Sequence, residues 1–253
     1  MKLPEPLLRV VFKDTEDGHF YSVDGKDMLY PGVTTILRIL GKPALVPWAA
    51  KLAASSFRKR LDAFMKNGKS VELSEFDAWE KEAAKAPFAE RDKAAEKGTD
   101  VHSHIDNFLT KGWQPVGVPS FDNFLKWYGE SGLTFLAGDT PVVSENMAYG
   151  GRLDALFIDK NQRLILVDVK TGKGVYGEAL IQMGGYAEAL IETYGIKPLR
   201  MIVLHVRPEQ TKVYEFNNPV FAIKAWRSVK TMYDDLQIIN KMMEDQNESQ
   251  RHG

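Results

Sequence analysis

Gly151-Arg152-Leu153-Asp154 and Ile165-Leu166-Val167-Asp168-Val169-Lys170 set two acids and a lysine into what otherwise reads as a pair of apolar β-strands. Asp159-Lys160-Asn161-Gln162 between them is a turn signal. A hairpin centred near Asn161 brings Asp154 opposite Val167 or Asp168. In the second register both carboxylates face the same way, with Cα atoms ~4.5–5.5 Å apart. Like charges placed opposite one another destabilise a sheet, and an unpaired charge is expensive to bury. The arrangement calls for a cation, so the hairpin is a candidate divalent-metal site.

Asp168 and Lys170 share a strand face, and Val169 points away, although its carbonyl can still reach a cation. Two carboxylates and a main-chain carbonyl suit Mg²⁺, which takes hard oxygen ligands. Lys170 beside such an ion could steer a water, help deprotonate it, or offset charge on a phosphate. A salt-bridged strand end near the surface is the competing reading. The triplet alone carries little weight, because Asp24-Gly25-Lys26 also fits it and reads as a solvated turn.

Two neighbouring elements add polar groups. A helix over 87–110 carries His102, with Gly98 one turn earlier leaving room for close approach. A packed histidine is the ordinary alternative for His102. His104 faces elsewhere and reads as a surface residue, and His205 as a core-edge one. The helix after the Asp-x-Lys strand holds Gln182 and Tyr186 at i, i+4, hence on one face. Gly184-Gly185 between them permits tight packing at ~1 kcal/mol of helix propensity each. Gln182 and Tyr186 either line the metal edge, touching substrate or holding Lys170, or belong to an amphipathic core face.

The elements that must position these groups read as follows. Residues 8–31 are short strands around turns at 14–18 and 24–25. Helices are expected over 46–66, stopping at Asn67-Gly68, then over 74–84 capped by Ser74, 87–110 and 121–128. Strands follow at 142–149, 152–158 and 163–170, with Gly150-Gly151 and the Asn161 turn as links. A helix at 179–194, strands at 199–207 and 212–216, and a long helix over 220–244 complete the chain. This is a mixed α/β core with helices covering a central sheet. The expected division is an N-terminal hairpin and helical extension over 1–86, a core over 87–246, and a frayed tail over 247–253.

The chain has 253 residues, 44% hydrophobic and 26% charged, which allows one large core. It contains no cysteine, which excludes disulfides, thiolate zinc sites, a cysteine nucleophile and cysteine-ligated iron–sulfur clusters. No apolar run has membrane-spanning length, and residues 1–10 do not read as a signal peptide, so a cytoplasmic protein is expected. With a net charge of −1, a polyanion must be bound through a local basic patch or a metal. Lys51, Arg58, Lys59, Arg60, Lys66 and Lys69 cluster on or beside the 46–66 helix, which also carries Trp48, Phe57 and Phe64. Such a segment could guide single-stranded DNA by phosphate pairing and base stacking. For any one of these residues, a solvated basic face over an apolar stripe is the simpler reading.

The order of Gly98-x-x-x-His102, Gly151-x-x-Asp154, Asp168-x-Lys170 and Gln182-x-x-x-Tyr186 resembles the RecB-like branch of the PD-(D/E)XK nucleases. The resemblance covers about residues 95–190, and in build it is nearest to stand-alone phage-type exonucleases and the mitochondrial genome maintenance exonuclease. It implies a restriction-endonuclease-like core that cleaves phosphodiesters with one or two Mg²⁺ or Mn²⁺ ions. By that resemblance Asp154, Asp168 and the Val169 backbone carbonyl hold the principal metal, and His102 holds or tunes a second site. Lys170 serves the attacking water, Gln182 and Tyr186 position substrate or lysine, and Glu145 is an outer acid. The expected activity is a DNA exonuclease acting from single-stranded or duplex ends, in recombination, repair or replication, in a phage or bacterial host cytoplasm. A structure-specific endonuclease and a non-catalytic nucleic-acid-binding subunit are the alternatives. Lacking cysteine, the chain departs from the iron–sulfur members of that branch.

Overall fold

The structure, a computed structural model, describes all residues except 1, 16–17, 43–44, 67–72 and 252–253. Of the side chains of residues 73, 95, 97 and 251 nothing is described. Lys69, the Asn67-Gly68 helix stop and the tip of the 14–18 turn therefore lie outside the described residues. The chain divides into two compact units, one formed by Met1–Leu40 with Val101–Gly253, the other by Gly41–Asp100. The units thus do not divide at residue 86: the N-terminal strands group with the core.

In the first unit, β1 (Val10–Thr15), β2 (Gly18–Val23) and β3 (Tyr30–Pro31) form an antiparallel sheet in that order. The short α1 (Val33–Ile36) follows. The second sheet has the order β4 (Thr134–Ser144), β5 (Tyr149–Ile158), β6 (Leu164–Lys170), β7 (Arg200–Val206), β8 (Thr211–Phe216). Only β6 and β7 pair in parallel, and α5 (Gly177–Tyr194) makes the crossover between them. This is the expected mixed sheet flanked by helices.

Strand alternation divides the core into two layers. Leu156, Ile158, Leu164, Leu166, Met201 and Val203 pack with α1, α5 and α6 (Val220–Arg251). Phe157, Ile165, Val167, Val169, Ile202 and Leu204 pack with Ile105, Phe121 and Phe124. Phe121 and Phe124 sit on α4 (Pro119–Ser131), and Ile105 near the end of α3 (Leu73–Lys111).

Three expectations of local structure change. The first strand expected at 142–149 ends at Ser144; residues 145–148 turn, and Gly150-Gly151 lie inside β5 rather than linking strands. Those glycines are in the strand because a Cβ at Gly150 would meet the Tyr21 Cβ at 2.3 Å, and one at Gly151 the Tyr186 ring at 2.5 Å. The helices expected at 74–84 and 87–110 are one continuous helix, which runs through Pro87. Pro87 forgoes one i→i−4 hydrogen bond but does not end the helix. Finally, α6 continues as helix into the polar tail, to Arg251.

The second unit contains α2 (Leu45–Lys66) and α3 up to Asp100. Phe57 and Phe64 meet Trp79, and Phe57 also meets Phe76, with ring centroids 5.7–6.4 Å apart. These aromatic rings hold α2 to α3, which removes Phe57 and Phe64 from the base-stacking role.

In the first unit, α5 meets the α6 backbone directly at Gly184 and the Trp226 ring at Gly185. A Cβ on Gly184 would lie 2.2 Å from the Ala222 carbonyl oxygen, and one on Gly185 would press into the Trp226 ring at 2.8 Å. The Tyr149 hydroxyl donates to the Gly185 carbonyl at 2.8 Å, and its ring packs edge-on against Trp226. Gly184→Ala must move backbone and should destabilise the fold by about 2–3 kcal/mol, lowering Tm by ~5–10 °C. Gly129→Ala, in the exposed face of α4 with open space around it, should instead stabilise by about 0.5–1 kcal/mol. Thermal denaturation of the two variants checks both signs.

Candidate active site

The β5–β6 ladder pairs Ile158 with Leu164 and ends at Ala155 with Val167. One step further in that register sets Asp154 opposite Asp168, the second of the two registers expected from sequence. There the strands part, and Asp154 Oδ2 accepts the Val169 N–H at 2.7 Å. A strand residue directs its N–H and C=O to the same edge, so the Val169 carbonyl also faces the Asp154 side.

Asp168 is 1% exposed. Burial pushes its carboxyl up from the usual range; Lys170 opposes the shift and Asp154 adds to it. Lys170 Nζ lies 2.7 Å from Asp168 Oδ2, a close ion pair. Nζ also donates to Gln182 Oε1 at 2.9 Å, and Gln182 Nε2 donates to the Tyr186 hydroxyl at 2.8 Å. Burial would lower the lysine pKa, but Asp168 and Asp154 outweigh it, and the net shift is upward. The amine is therefore held charged at neutral pH. Burial raises the Tyr186 phenol well above its ordinary value, so it stays a neutral hydroxyl.

On the other side of Asp154, a pocket of about 230 Å³ is lined by His102, Asp106, Asp139, Asp154, Ala155 and Val169, among others. His102 Nδ1 is 3.8 Å from Asp154 Oδ2. Asp106, one helical turn after His102, has a buried Oδ1 without a hydrogen-bond partner.

The structure thus gathers Asp154, Asp168, Val169, Lys170, His102, Gln182 and Tyr186 into one place. It does not gather Glu145, which sits in the β4–β5 turn paired with Lys26. Five residues of extended strand separate that turn from Asp154, roughly 16 Å. Asp139 of β4 stands in the position expected of an outer acid. By the β4–β5 register it lies across from Asp154, and Arg152 binds it at 2.8 Å. Its carboxyl is raised, chiefly by burial. Sequence reading missed Asp139 because the strand was begun at Val142. It missed Asp106 because His102 was weighed alone; the i, i+4 spacing was the available signal.

His104 is not a surface residue: its ring lies against Trp113 and Phe121, and its Nδ1 is buried. His205 is a core-edge residue, with Nε2 2.7 Å from the Gly172 carbonyl. Lys26 of the Asp24-Gly25-Lys26 triplet pairs with Glu145, away from the two acids.

Among the described residues, no three His, Asp or Glu side chains converge as a finished metal cage. The donor chemistry nevertheless fits a hard divalent cation: two carboxylates, a strand carbonyl, an imidazole at the edge, and a buried Asp106 oxygen without a hydrogen-bond partner. In the second unit, Arg58 pairs with Asp62 at 3.9 Å and Arg60 with Glu82. Lys51, Lys59 and Lys66 are exposed, with no ion-pair partner among the described residues.

A family model described as the PD-(D/E)XK nuclease superfamily matches residues 50–252. The chain belongs to that superfamily. A search of curated proteins finds no match. Among solved structures, the chain is similar to SSO0001, at 15% identity and a TM-score of 0.29, over 45% of this chain and 56% of that one. It is also similar to an alkaline exonuclease (LHK-Exo) from Laribacter hongkongensis, at 9% identity and a TM-score of 0.36, over 60% and 85% of the two chains. The chain therefore spans little more than half the length of the first of these. Among the described residues, no helix is long and apolar enough to cross a membrane.

The raised Asp168 carboxyl has a direct consequence for stability. The folded protein binds this proton more tightly than the unfolded chain. The resulting stabilisation is complete below the unfolded carboxylate range, about pH 4, and is lost as pH rises through the higher folded value. In chelator-treated protein, Asp168→Asn should gain stability relative to wild type between about pH 5 and about pH 8. Thermal melts of both proteins at the two pH values test this; a difference that does not change with pH would remove buried charge as the source of the shift.

Proposed function

We propose that the protein is a metal-dependent deoxyribonuclease that works as an exonuclease on single strands or duplex ends. The observation that carries this reading is the Asp168–Lys170–Gln182–Tyr186 chain beside Asp154. A lysine used only to neutralise Asp168 has no need of a second polar clamp from α5. The RecB-like motif order supports the same reading.

Asp154, Asp168 and the Val169 carbonyl would hold Mg²⁺ or Mn²⁺, with His102 at the edge and Asp106 or Asp139 available for a second ion. When bound, such an ion polarises the phosphate and acidifies a water. Lys170 is held charged by Asp168 and Asp154. It donates hydrogen bonds and offsets negative charge as the phosphate gains it. Gln182 fixes the ammonium, and the neutral Tyr186 hydroxyl fixes Gln182. Lys170→Ala and Asp168→Ala should each reduce cleavage of end-labelled DNA in Mn²⁺ by about 10³-fold or more, with the fold retained by circular dichroism. Wild-type protein inert on linear and circular DNA, in both metals, would sink the proposal. Cleavage of a closed single-stranded circle would convert it to an endonuclease.

The second unit is assigned a strand-guiding role on narrower grounds than the sequence suggested. Lys51, Lys59 and Lys66 fall within about 80° of one another around α2 at ~100° per residue. Their joint replacement by alanine should flatten the dependence of single-strand binding on salt, by up to ~2 in the log–log slope. Fluorescence anisotropy over a salt series measures it.

A further inference from the structure

A second pocket, of about 240 Å³, lies beside the acids in the same compact unit. Phe12, His19 and Tyr21 of the β1–β2 hairpin line it, together with Gly151, Arg152 and Tyr186. Phe12 is 37% exposed, with its ring 5.5 Å from that of His19 and 5.4 Å from that of Tyr21. The Arg152 guanidinium lies over the Phe12 ring at 4.8 Å from its centroid.

The hairpin is fixed in this position. Gly150 has no Cβ, so the Tyr21 side chain can sit against it, and Gly32 bridges to Gly150 while its N–H donates to the His19 carbonyl at 3.1 Å. Two of its lining residues also bond to groups around the acids. Tyr186, which ends the Lys170 clamp, forms one wall, and Arg152 binds Asp139, which lines the His102–Asp154 pocket.

We propose that this pocket receives one unpaired nucleobase of the substrate strand, next to the phosphate being cut, and stacks it among Phe12, His19 and the Arg152 guanidinium. The proposal rests on the nuclease reading above. An aromatic face and a guanidinium suit any base, because every base has a π-face. The volume is below the ~300–1,000 Å³ of pockets for drug-sized ligands, which suits a single heterocycle. A strand entering here passes Arg152 before it reaches Asp154, so one cation serves both stacking and approach. The pocket thus gives the enzyme a requirement for an unstacked base, and duplex would have to open by at least one pair to fill it.

The test uses the full chain and fluorescein-labelled single-stranded oligodeoxynucleotides, intact or with one abasic site moved along the strand. Binding is read by anisotropy without metal, and KM for cleavage in Mn²⁺. Wild type should lose affinity, roughly tenfold, when the abasic site falls at one position. Phe12→Ala should lose a similar factor on the intact strand and little more on that abasic strand, while Phe12→Tyr should restore binding. Should Phe12→Ala not fold, Phe12→Leu, which keeps an apolar side chain and removes the ring, takes its place. Equal losses on intact and abasic strands, or no positional effect, overturn the proposal. Cleavage without a positional effect discards the pocket and leaves the nuclease reading standing. Pocket-dependent binding without cleavage does the reverse.

Discussion

The buried charge on Asp168 governs the rest of the site. A carboxylate at 1% exposure is stable only with compensation, and here the compensation is Lys170, itself poorly solvated. The pair is held together by a third and a fourth group, Gln182 and Tyr186, whose hydrogen bonds fix where the ammonium sits. Asp154 raises the electrostatic demand further, and it also takes up the Val169 N–H where the β5–β6 ladder opens. The structure keeps two acids in proximity and neutralises only one directly. That residual negative charge is what would draw a cation to the proposed site.

Most of the scaffold serves to keep this arrangement close. The two layers of side chains on β5, β6 and β7 make the strand ends rigid, and α5 is pressed onto them from one side. Three glycines set the distances: Gly151 admits the Tyr186 ring, while Gly184 and Gly185 let α5 lie directly on α6. Thr193, near the end of α5, both accepts from the Val143 N–H and donates to the Val143 carbonyl, anchoring the helix to β4. The clamp on Lys170 is therefore positioned by backbone contact, which tolerates little displacement.

The hairpin acids, the lysine and the Gln182–Tyr186 pair were legible in the sequence because short-range periodicity places them: period two along β6 and i, i+4 along α5. The Asn161 turn narrowed the β5–β6 register to two, and the ladder selects the one that sets Asp154 opposite Asp168. Groups placed by long-range packing were not legible. Asp139 reaches the site through β4, whose register is interrupted between Phe135 and Ala137, and whose Asp139 adopts a left-handed φ of 45°. Glu145 was misplaced because Gly150-Gly151 read as a link, whereas they are strand residues chosen for what they admit. The continuous α3 was broken at Pro87 on local grounds, and Phe57 and Phe64 were available for stacking only until Phe76 and Trp79 covered them.

The weakest distance in the site belongs to its most remote member in sequence. Asp154 and Val169 are 15 residues apart and Lys170 and Gln182 are 12 apart, and both pairs make hydrogen bonds of 2.7–2.9 Å. His102 is 52 residues from Asp154 and stops at 3.8 Å. Closing the longer loop forfeits about 1 kcal/mol more chain entropy than closing the shorter ones, for a contact that returns less. Asp154 through Tyr186 is thus joined by short chain closures, and the histidine comes from outside that segment. The contact that crosses the longest loop is the loosest, and the helix that bears His102 holds the acids least tightly.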